Sequence, residues 1–403
     1  METKSATCGR KGEGVRSDCF VKIEKISGNS IELDISSKVE RLYGDKIRED
    51  VLQILNFYNL EGIKLTLQDF GALPFVLFAR IECAIKRLFP EIKRDFLPPL
   101  NKGVKTKCIR ERFRRSRLYL PGNEPKFMIN AGIHKPDGII LDLEDSVSPD
   151  EKDAARILVR NALRSINFYE SEKMVRINQL PMGLGDLEEI VPQPVELILI
   201  PKCETEEDVI NVDKKISELE EKSGRKEKIL LMPIIESAKG IMNAYKIAGA
   251  SKRNVALTIG LEDYTADIGA ERTEEGRESF YARSVIVNAA KSFHLQAIDT
   301  VYSDVSNMEG LKKATLEAKS LGFEGKGCIH PRQIKVIHEA FKPTEKEVEK
   351  AMKIAKAIEE AKKRGSGVIS LGSKMVDPPV VKRAERILKL AKEMGLIQEE
   401  KND

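Results

Sequence analysis

The chain has 403 residues, 41% of them hydrophobic and 33% charged, with 68 Lys and Arg against 64 Asp and Glu and a net charge of +4. It is too long for one typical domain and apolar enough to bury a core, which excludes a disordered tail. The near balance of charge argues against a dedicated nucleic-acid binder. No apolar run reaches the ~18 residues of a membrane span, and the opening residues lack an apolar signal core, so a cytoplasmic protein is expected.

The first predicted unit covers 12–90. Phe20-Val21-Lys22-Ile23 and Ile31-Glu32-Leu33-Asp34-Ile35 alternate apolar and polar residues, as half-buried strands do, and Gly28-Asn29 supplies the turn between them. Ser36 or Ser37 can cap a following helix whose apolar positions are Val39, Leu42, Ile47, Val51, Ile54 and Leu55. Ile63-Leu65-Leu67 alternates again, and Gly71-Ala72-Leu73 opens a second helix through Ile85. The order β-β-α-β-α makes this a small α+β unit.

Between Glu91 and Arg117 stand ten Lys or Arg against three Asp or Glu, with Pro98-Pro99 and Gly103. Pro-Pro interrupts helix and sheet, and like charges repel, so 91–113 reads as an exposed basic linker or a docking surface for an acidic partner. Beyond it, eight short apolar strands alternate with amphipathic helices: Leu118–Leu120, Gly138–Leu143, Met174–Ile177, Leu197–Ile200, Ile229–Ile235, Ala256–Leu261, Ala297–Tyr302 and Gly327–Ile329. Strand–helix alternation implies parallel strands with right-handed crossovers, and eight units fit an α/β fold of the (β/α)8 TIM-barrel type over 114–341. A doubly wound open sheet is the alternative, although no G-x-G-x-x-G follows any strand. Residues 342–403 form a helical extension.

The six cysteines are scattered without a C-x-x-C pair, so they read as reduced thiols. Four histidines with no adjacent pair disfavour a His-rich metal site but leave room for a carboxylate-bound hard cation. A barrel carries its chemistry at the C-terminal ends of its strands. There the sequence places Asp142, Glu144 and Asp145, then Arg176, Lys202, Glu236 and Asp263, and strand seven carries Asp299 and ends at Ser303-Asp304. Glu236 and Asp263 end adjacent strands and can share one Mg²⁺, which keeps part of its hydration shell. Arg176 can grip a substrate carboxylate with two parallel hydrogen bonds. Such a site suits metal-assisted chemistry on an oxo-acid.

Arg115-Ser116-Arg117-Leu118-Tyr119-Leu120-Pro121-Gly122-Asn123, Leu141-Asp142-Leu143-Glu144-Asp145-Ser146-Val147, Val175-Arg176-Ile177-Asn178, Leu261-Glu262-Asp263-Tyr264 and Lys374-Met375-Val376-Asp377-Pro378 together resemble the beta chains of citrate lyase and the related citramalyl- and malyl-CoA lyases. The likeness runs from about Arg114 to about Gly395. It implies a Mg²⁺-dependent barrel that splits citryl thioester into oxaloacetate and acetyl thioester. It also implies a homo-oligomer, a trimer or a multiple of three, in which Asp377 of a neighbouring subunit protonates the thioester product. The residues themselves offer Asp377 a second role, as N-cap of the following helix. Arg115 and Lys202 are further candidates for binding acid or phosphate groups.

Ser36-Ser37-Lys38-Val39-Glu40, Tyr43-Gly44-Asp45-Lys46-Ile47-Arg48 and Gly71-Ala72-Leu73 with Ala79-Arg80-Ile81-Glu82 resemble the citrate lyase gamma chain, an acyl carrier protein. The resemblance implies a fused carrier and lyase that works with the acyltransferase alpha chain. The carrier family attaches phosphoribosyl-dephospho-CoA to the first serine of Ser-Ser-Asp or Ser-Gly-Asp. Here Arg16 holds that place and Ser17 the next, before Asp18. Either Ser17 takes the group or the carrier is unmodified. Phe70 also departs from the lysine usual before Gly71. The rival readings are a free-CoA lyase for citramalyl-, malyl- or citryl-CoA with an inert N-terminal unit, and a non-catalytic scaffold of a citrate lyase complex.

Overall fold

The computed structural model describes residues 4–363, 370–371, 374–375 and 377–397. Residues up to Ile337 form one compact unit and those from His338 a second. No described helix is long and apolar enough to cross a membrane.

The chain opens with β1 (Ser5–Gly9), β2 (Cys19–Lys25), β3 (Ile31–Ser37), α1 (Glu40–Tyr58), β4 (Ile63–Asp69) and α2 (Pro74–Leu88). The α+β unit therefore starts before residue 12, because β1 adds an antiparallel edge to β2. The sheet order is β1-β2-β4-β3. The strands flanking Gly28-Asn29 do not pair with each other: β4 lies between them, antiparallel to β2 and parallel to β3. Ser37 belongs to β3, and its hydroxyl accepts from Val39 N–H and donates to Asp69.

Every residue of α2 from Phe75 to Ile85 is buried. A helix buried all round has neighbours on both sides. Here they are the sheet, through β1 and β2, and α4 (Lys152–Ser165) of the following barrel. Arg160 on α4 forks onto Glu82 of α2 at 3.0 and 2.6 Å, with side chains 1% and 0% exposed. Arg87 of α2 grips Asp153 at 2.8 and 2.6 Å and donates to the carbonyls of Thr7 and Asp150.

The basic segment 91–113 carries neither helix nor strand and most of its residues are exposed, as expected of a linker, but it is tied down along its length. Phe96 is buried, Arg164 donates to the Pro98 carbonyl, Lys107 N–H donates to Glu196, and Arg110 holds the Lys252 and Asn254 carbonyls. Arg112 holds those of Asp137 and Glu170. Arg110 and Arg112, which suggest repulsion in the sequence, are spent on carbonyls at the base of the barrel.

The barrel follows as β5 (Ser116–Pro121), α3 (Pro125–Met128), β6 (Gly138–Asp142), α4 (Lys152–Ser165), β7 (Glu172–Arg176), α5 (Met182–Ile190), β8 (Leu197–Ile200), α6 (Glu206–Ser223), β9 (Leu230–Ile235), α7 (Ala238–Gly249), β10 (Ala256–Ile259), α8 (Leu261–Asp267), α9 (Arg277–Ser292), β11 (Gln296–Asp299), α10 (Met308–Leu321), β12 (Gly325–Cys328) and α11 (Pro331–Phe341). The eight strands β5–β12 close on themselves, all parallel, with β12 against β5. β6, β8 and β9 are buried at every position, as strands covered on both faces must be. The apolar filling includes Ile140, Met174, Leu199, Met232, Ile234 and Ile298. Helix starts are set locally: Thr205 and Asp208 form a capping box on α6, and the Ser237 hydroxyl accepts from Gly240 N–H on α7.

The second unit contains α12 (Glu345–Lys363), β13 (Ser370–Leu371), β14 (Lys374–Met375) and α13 (Pro378–Glu393). Ala351, Ile354 and Ala384 form the buried centre of its α12–α13 packing. The remainder of the expected 342–403 extension lies outside the described residues.

Candidate active site

Five strand ends on the C-terminal rim supply one electrostatic cluster. Glu236 directly follows β9 and is 6% exposed. Its Oε1 accepts from the backbone N–H of Lys202 at 2.8 Å. Burial pushes the Glu236 carboxyl up to about 7; the Lys202 N–H offsets this in part, and the Asp263 charge adds to it. Room for the carboxylate comes from Gly260, where a Cβ would stand 2.3 Å from Glu236 Oε2. Asp263 lies in the first turn of α8, directly after β10.

Lys202 follows β8 with φ +46°, the left-handed region that costs a non-glycine residue about 1–2 kcal/mol. This conformation accompanies the N–H contact to Glu236. Its ammonium lies 3.4 Å from Glu144, 3.5 Å from Asp145 and 3.7 Å from Asp263. Burial opposes its charge, but those three carboxylates outweigh burial and raise its pKa.

Arg176 ends β7 above the Tyr119 ring, 5.4 Å from guanidinium to ring centre. Its Nε and Nη2 are held by Asp142 at 2.6 and 2.7 Å, and its Nη1 lies 2.9 Å from Glu144 and 3.4 Å from Asp145. Burial disfavours the charge of Asp142, but Arg176 overcomes this and holds that carboxyl below its ordinary range. Asp142 thus sets the plane of the guanidinium; a ligand can meet the outer N–H of Nη2, and to reach Nη1 as well it must share that nitrogen with Glu144 and Asp145.

Two cations, Arg176 and Lys202, face five carboxylates: Asp142, Glu144, Asp145, Glu236 and Asp263. This negative excess favours a further cation. All the surplus donors are hard oxygens. Among the described residues, no group of three or more His, Cys, Asp or Glu is placed to cage a metal. Two carboxylates completed by water and substrate fit Mg²⁺, and the space beside Gly260 accommodates the Glu236 member of the pair.

The structure corrects one expected ligand. Arg115 precedes β5, at the opposite end of the barrel from Glu236, and its Nε and Nη2 are both bound to Asp137 at 2.8 Å. It belongs to the base. Asp299, carried by β11 as expected, is 1% exposed and spent on Lys326 at 2.7 Å and on Arg283. Asp377 is the N-cap residue of α13, exposed, and its side chain makes no capping hydrogen bond. It lies in the second unit, so its placement at the rim is not part of the geometry. Ser17 is half-buried at φ +56°, beside an exposed Arg16. Sequence reasoning passed over Gly260, although a glycine between a strand and an acidic pair signals a close approach.

The fold and rim define a barrel enzyme with an acidic, cation-seeking site. Residues 115–331 match the family model described as HpcH/HpaI aldolase/citrate lyase. Residues 5–88 match an acyl-carrier model described as the malonate decarboxylase delta subunit. The chain is 43% identical over 284 residues to citrate lyase subunit beta of Haemophilus influenzae, covering 70% of this chain and 98% of that one. It is 34% identical to the mitochondrial citramalyl-CoA lyase of Mus musculus, over 69% of this chain and 86% of that one. The protein CitE of Mycobacterium tuberculosis, solved with magnesium, acetoacetate and coenzyme A, aligns with a TM-score of 0.58 and 28% identity over 70% of this chain and 99% of that one. The chain belongs to the HpcH/HpaI aldolase/citrate lyase family. It is a carbon–carbon lyase whose barrel is preceded by an acyl-carrier-type unit.

Proposed function

We propose that this chain cleaves a citryl thioester, on an acyl-carrier arm or on CoA, to oxaloacetate and an acetyl thioester. The observation that carries this reading is the joining of a citrate-lyase-type barrel to an acyl-carrier-type unit in one chain. The structure of CitE with magnesium, acetoacetate and coenzyme A supports a metal, an oxo-acid and a CoA-type carrier in this kind of site.

In this reading Glu236 and Asp263 hold Mg²⁺. The bound ion supplies Lewis-acid polarisation of the hydroxyl and carboxylate oxygens on one substrate carbon. Arg176, oriented by Asp142, grips the substrate carboxylate through its outer N–H groups. Lys202 fixes one Glu236 oxygen with its N–H, and its ammonium tempers the excess of negative charge. The substrate hydroxyl loses its proton, the adjacent C–C bond breaks toward the thioester, and the thioester carbon gains a proton. Asp377 of a neighbouring subunit delivers that proton in a homo-oligomer, a trimer or a multiple of three. Ser17 carries the phosphoribosyl-dephospho-CoA arm, an acyltransferase alpha chain is the partner that charges it, and the protein works in the cytoplasm.

A free-CoA lyase acting on citramalyl-CoA or malyl-CoA is the second reading, favoured by Arg16 at the usual attachment position and by the citramalyl-CoA lyase relatives. The test is to offer citryl-, citramalyl- and malyl-CoA to the full chain with Mg²⁺, then with chelator. Citryl-CoA is expected to release oxaloacetate, stop with chelator and recover with Mg²⁺. Selective turnover of citramalyl- or malyl-CoA would replace the first reading with the second, and no turnover of any CoA ester together with none of a citryl thioester carried on the arm would sink both.

A further inference from the structure

The carrier unit does not hang from its linker. The turn that carries Ser17 is tied to the barrel rim through three residues. Ser17 N–H donates to the Phe70 carbonyl and Phe70 N–H to the Asp18 carbonyl, pinning the turn to the end of β4. Asp18, 2% exposed, accepts from Arg80 Nε and Nη2 at 2.9 Å each. Arg80, 1% exposed, passes Nη2 on to the Asn123 carbonyl at 3.0 Å. Asn123 lies just beyond β5, on the C-terminal rim that bears Glu236 and Asp263. Beside this relay Arg10 pairs with Glu124. Two buried polar atoms at the junction, Arg80 Nη1 and Asn123 Oδ1, have no hydrogen-bond partner.

The same seat is clamped on its flank by Arg160–Glu82 and Arg87–Asp153, and the segment that would be the tether is bound along the base. A carrier held at three places cannot sample the volume of a flexible tether. It also has no need to, because eight strands about 4.8 Å apart and tilted about 36° make a mouth only about 15 Å across. A pantetheine-type arm rooted at the β5 side spans that distance.

We propose that the carrier is a seated donor that serves the barrel of its own chain, with the Asp18–Arg80–Asn123 relay fixing Ser17 at that barrel's mouth. This rests on the reading of Ser17 as the attachment point. Arg80 is a positioning residue in this arrangement, and delivery is intramolecular, with a high effective concentration of thioester.

The test runs the cleavage backwards on full-length protein from its native host. The probe is the arm thiol acetylated and supplied with Mg²⁺ and oxaloacetate. A C–C bond forms between the acetyl methyl carbon and the oxaloacetate keto carbon, and the methyl proton ends on the new hydroxyl. Wild-type protein is expected to gain the mass of oxaloacetate. An acetylated Asp263→Asn chain, with a carrier but a disabled barrel, is then mixed with a Ser17→Ala chain, with a barrel but no arm, and subunits are allowed to exchange. The mixture is expected to condense at least about a hundredfold more slowly than wild type. A mixture as fast as wild type would overturn delivery within one chain. Wild-type protein that shows no arm on Ser17 would overturn the attachment reading and this proposal together, while leaving cleavage of free citryl-CoA to be judged separately. Because Arg80 is buried, the seat is tested at Arg87. Arg87→Ala is expected to slow condensation on the arm about tenfold and leave cleavage of free citryl-CoA unchanged. Equal loss on both substrates would mark a merely structural role and refute the seat.

Discussion

Gly260 and Glu236 are in such close approach that a Cβ on the first would come within 2.3 Å of Oε2 of the second. Gly260→Ala must therefore move the carboxylate or the α8 turn. Mg²⁺ affinity measured by calorimetry is expected to fall at least about tenfold, with the thermal transition moved far less. Unchanged affinity would remove Glu236 from the ion.

Asp263→Asn keeps size and shape but removes one negative charge at the rim. Turnover at low Mg²⁺ is expected to be nearly abolished and the circular dichroism spectrum unchanged. Wild-type activity at limiting Mg²⁺ would show that Asp263 is no metal ligand.

Arg176→Lys keeps the charge and loses the planar fork that Asp142 aligns. Binding of oxaloacetate to the Mg²⁺ form is expected to weaken by about ten- to a hundredfold. If affinity is retained, Lys202 is the residue to examine next for the carboxylate grip.

The pH dependence follows from Glu236, whose carboxyl is raised to about 7 by burial. Without metal, the folded state holds this proton more tightly than the unfolded chain does. The resulting stabilisation is complete below the ordinary carboxylate pKa and is lost as pH rises through about 7. Mg²⁺ must displace the proton. Apparent Mg²⁺ affinity is therefore expected to rise about tenfold per pH unit below 7 and level off above it. Proton release measured in two buffers of different ionisation enthalpy checks this, and a pH-independent affinity between 5 and 7 would contradict it.

Arg160→Met takes from buried Glu82 its two-pronged partner and leaves Lys86, at 2.8 Å, as its remaining cation. The loss is expected to be about 1–3 kcal/mol, read as a drop in the denaturation midpoint. A loss below about 1 kcal/mol would show that the junction between carrier and barrel is not held by this pair.

The barrel was legible because each strand is a short apolar run followed by a polar rim, and all eight lie where that pattern placed them, within a few residues. The α+β unit was less so. Alternation identifies a strand but not its neighbour, and only the long-range pairing puts β4 between β2 and β3. The exposure of the linker was legible, but its attachment was not, because charge counts do not reveal acceptors: Arg110 and Arg112 bind carbonyls from distant turns. Arg115 misled because adjacent residues at a strand start all look alike, and only chain direction separates base from rim. The rim positions of Glu236 and Asp263 were readable from strand ends alone. Gly260 and the Asp18–Arg80–Asn123 relay depend on three-dimensional proximity that no spacing encodes.

The double burial of α2 reaches beyond the site. Its packing surface is divided between two hydrophobic interiors, so neither can come apart without exposing it to water. Calorimetry should then show one cooperative melting event spanning residues 5–337, and a nick within 91–113 should leave the two pieces associated rather than releasing a free carrier.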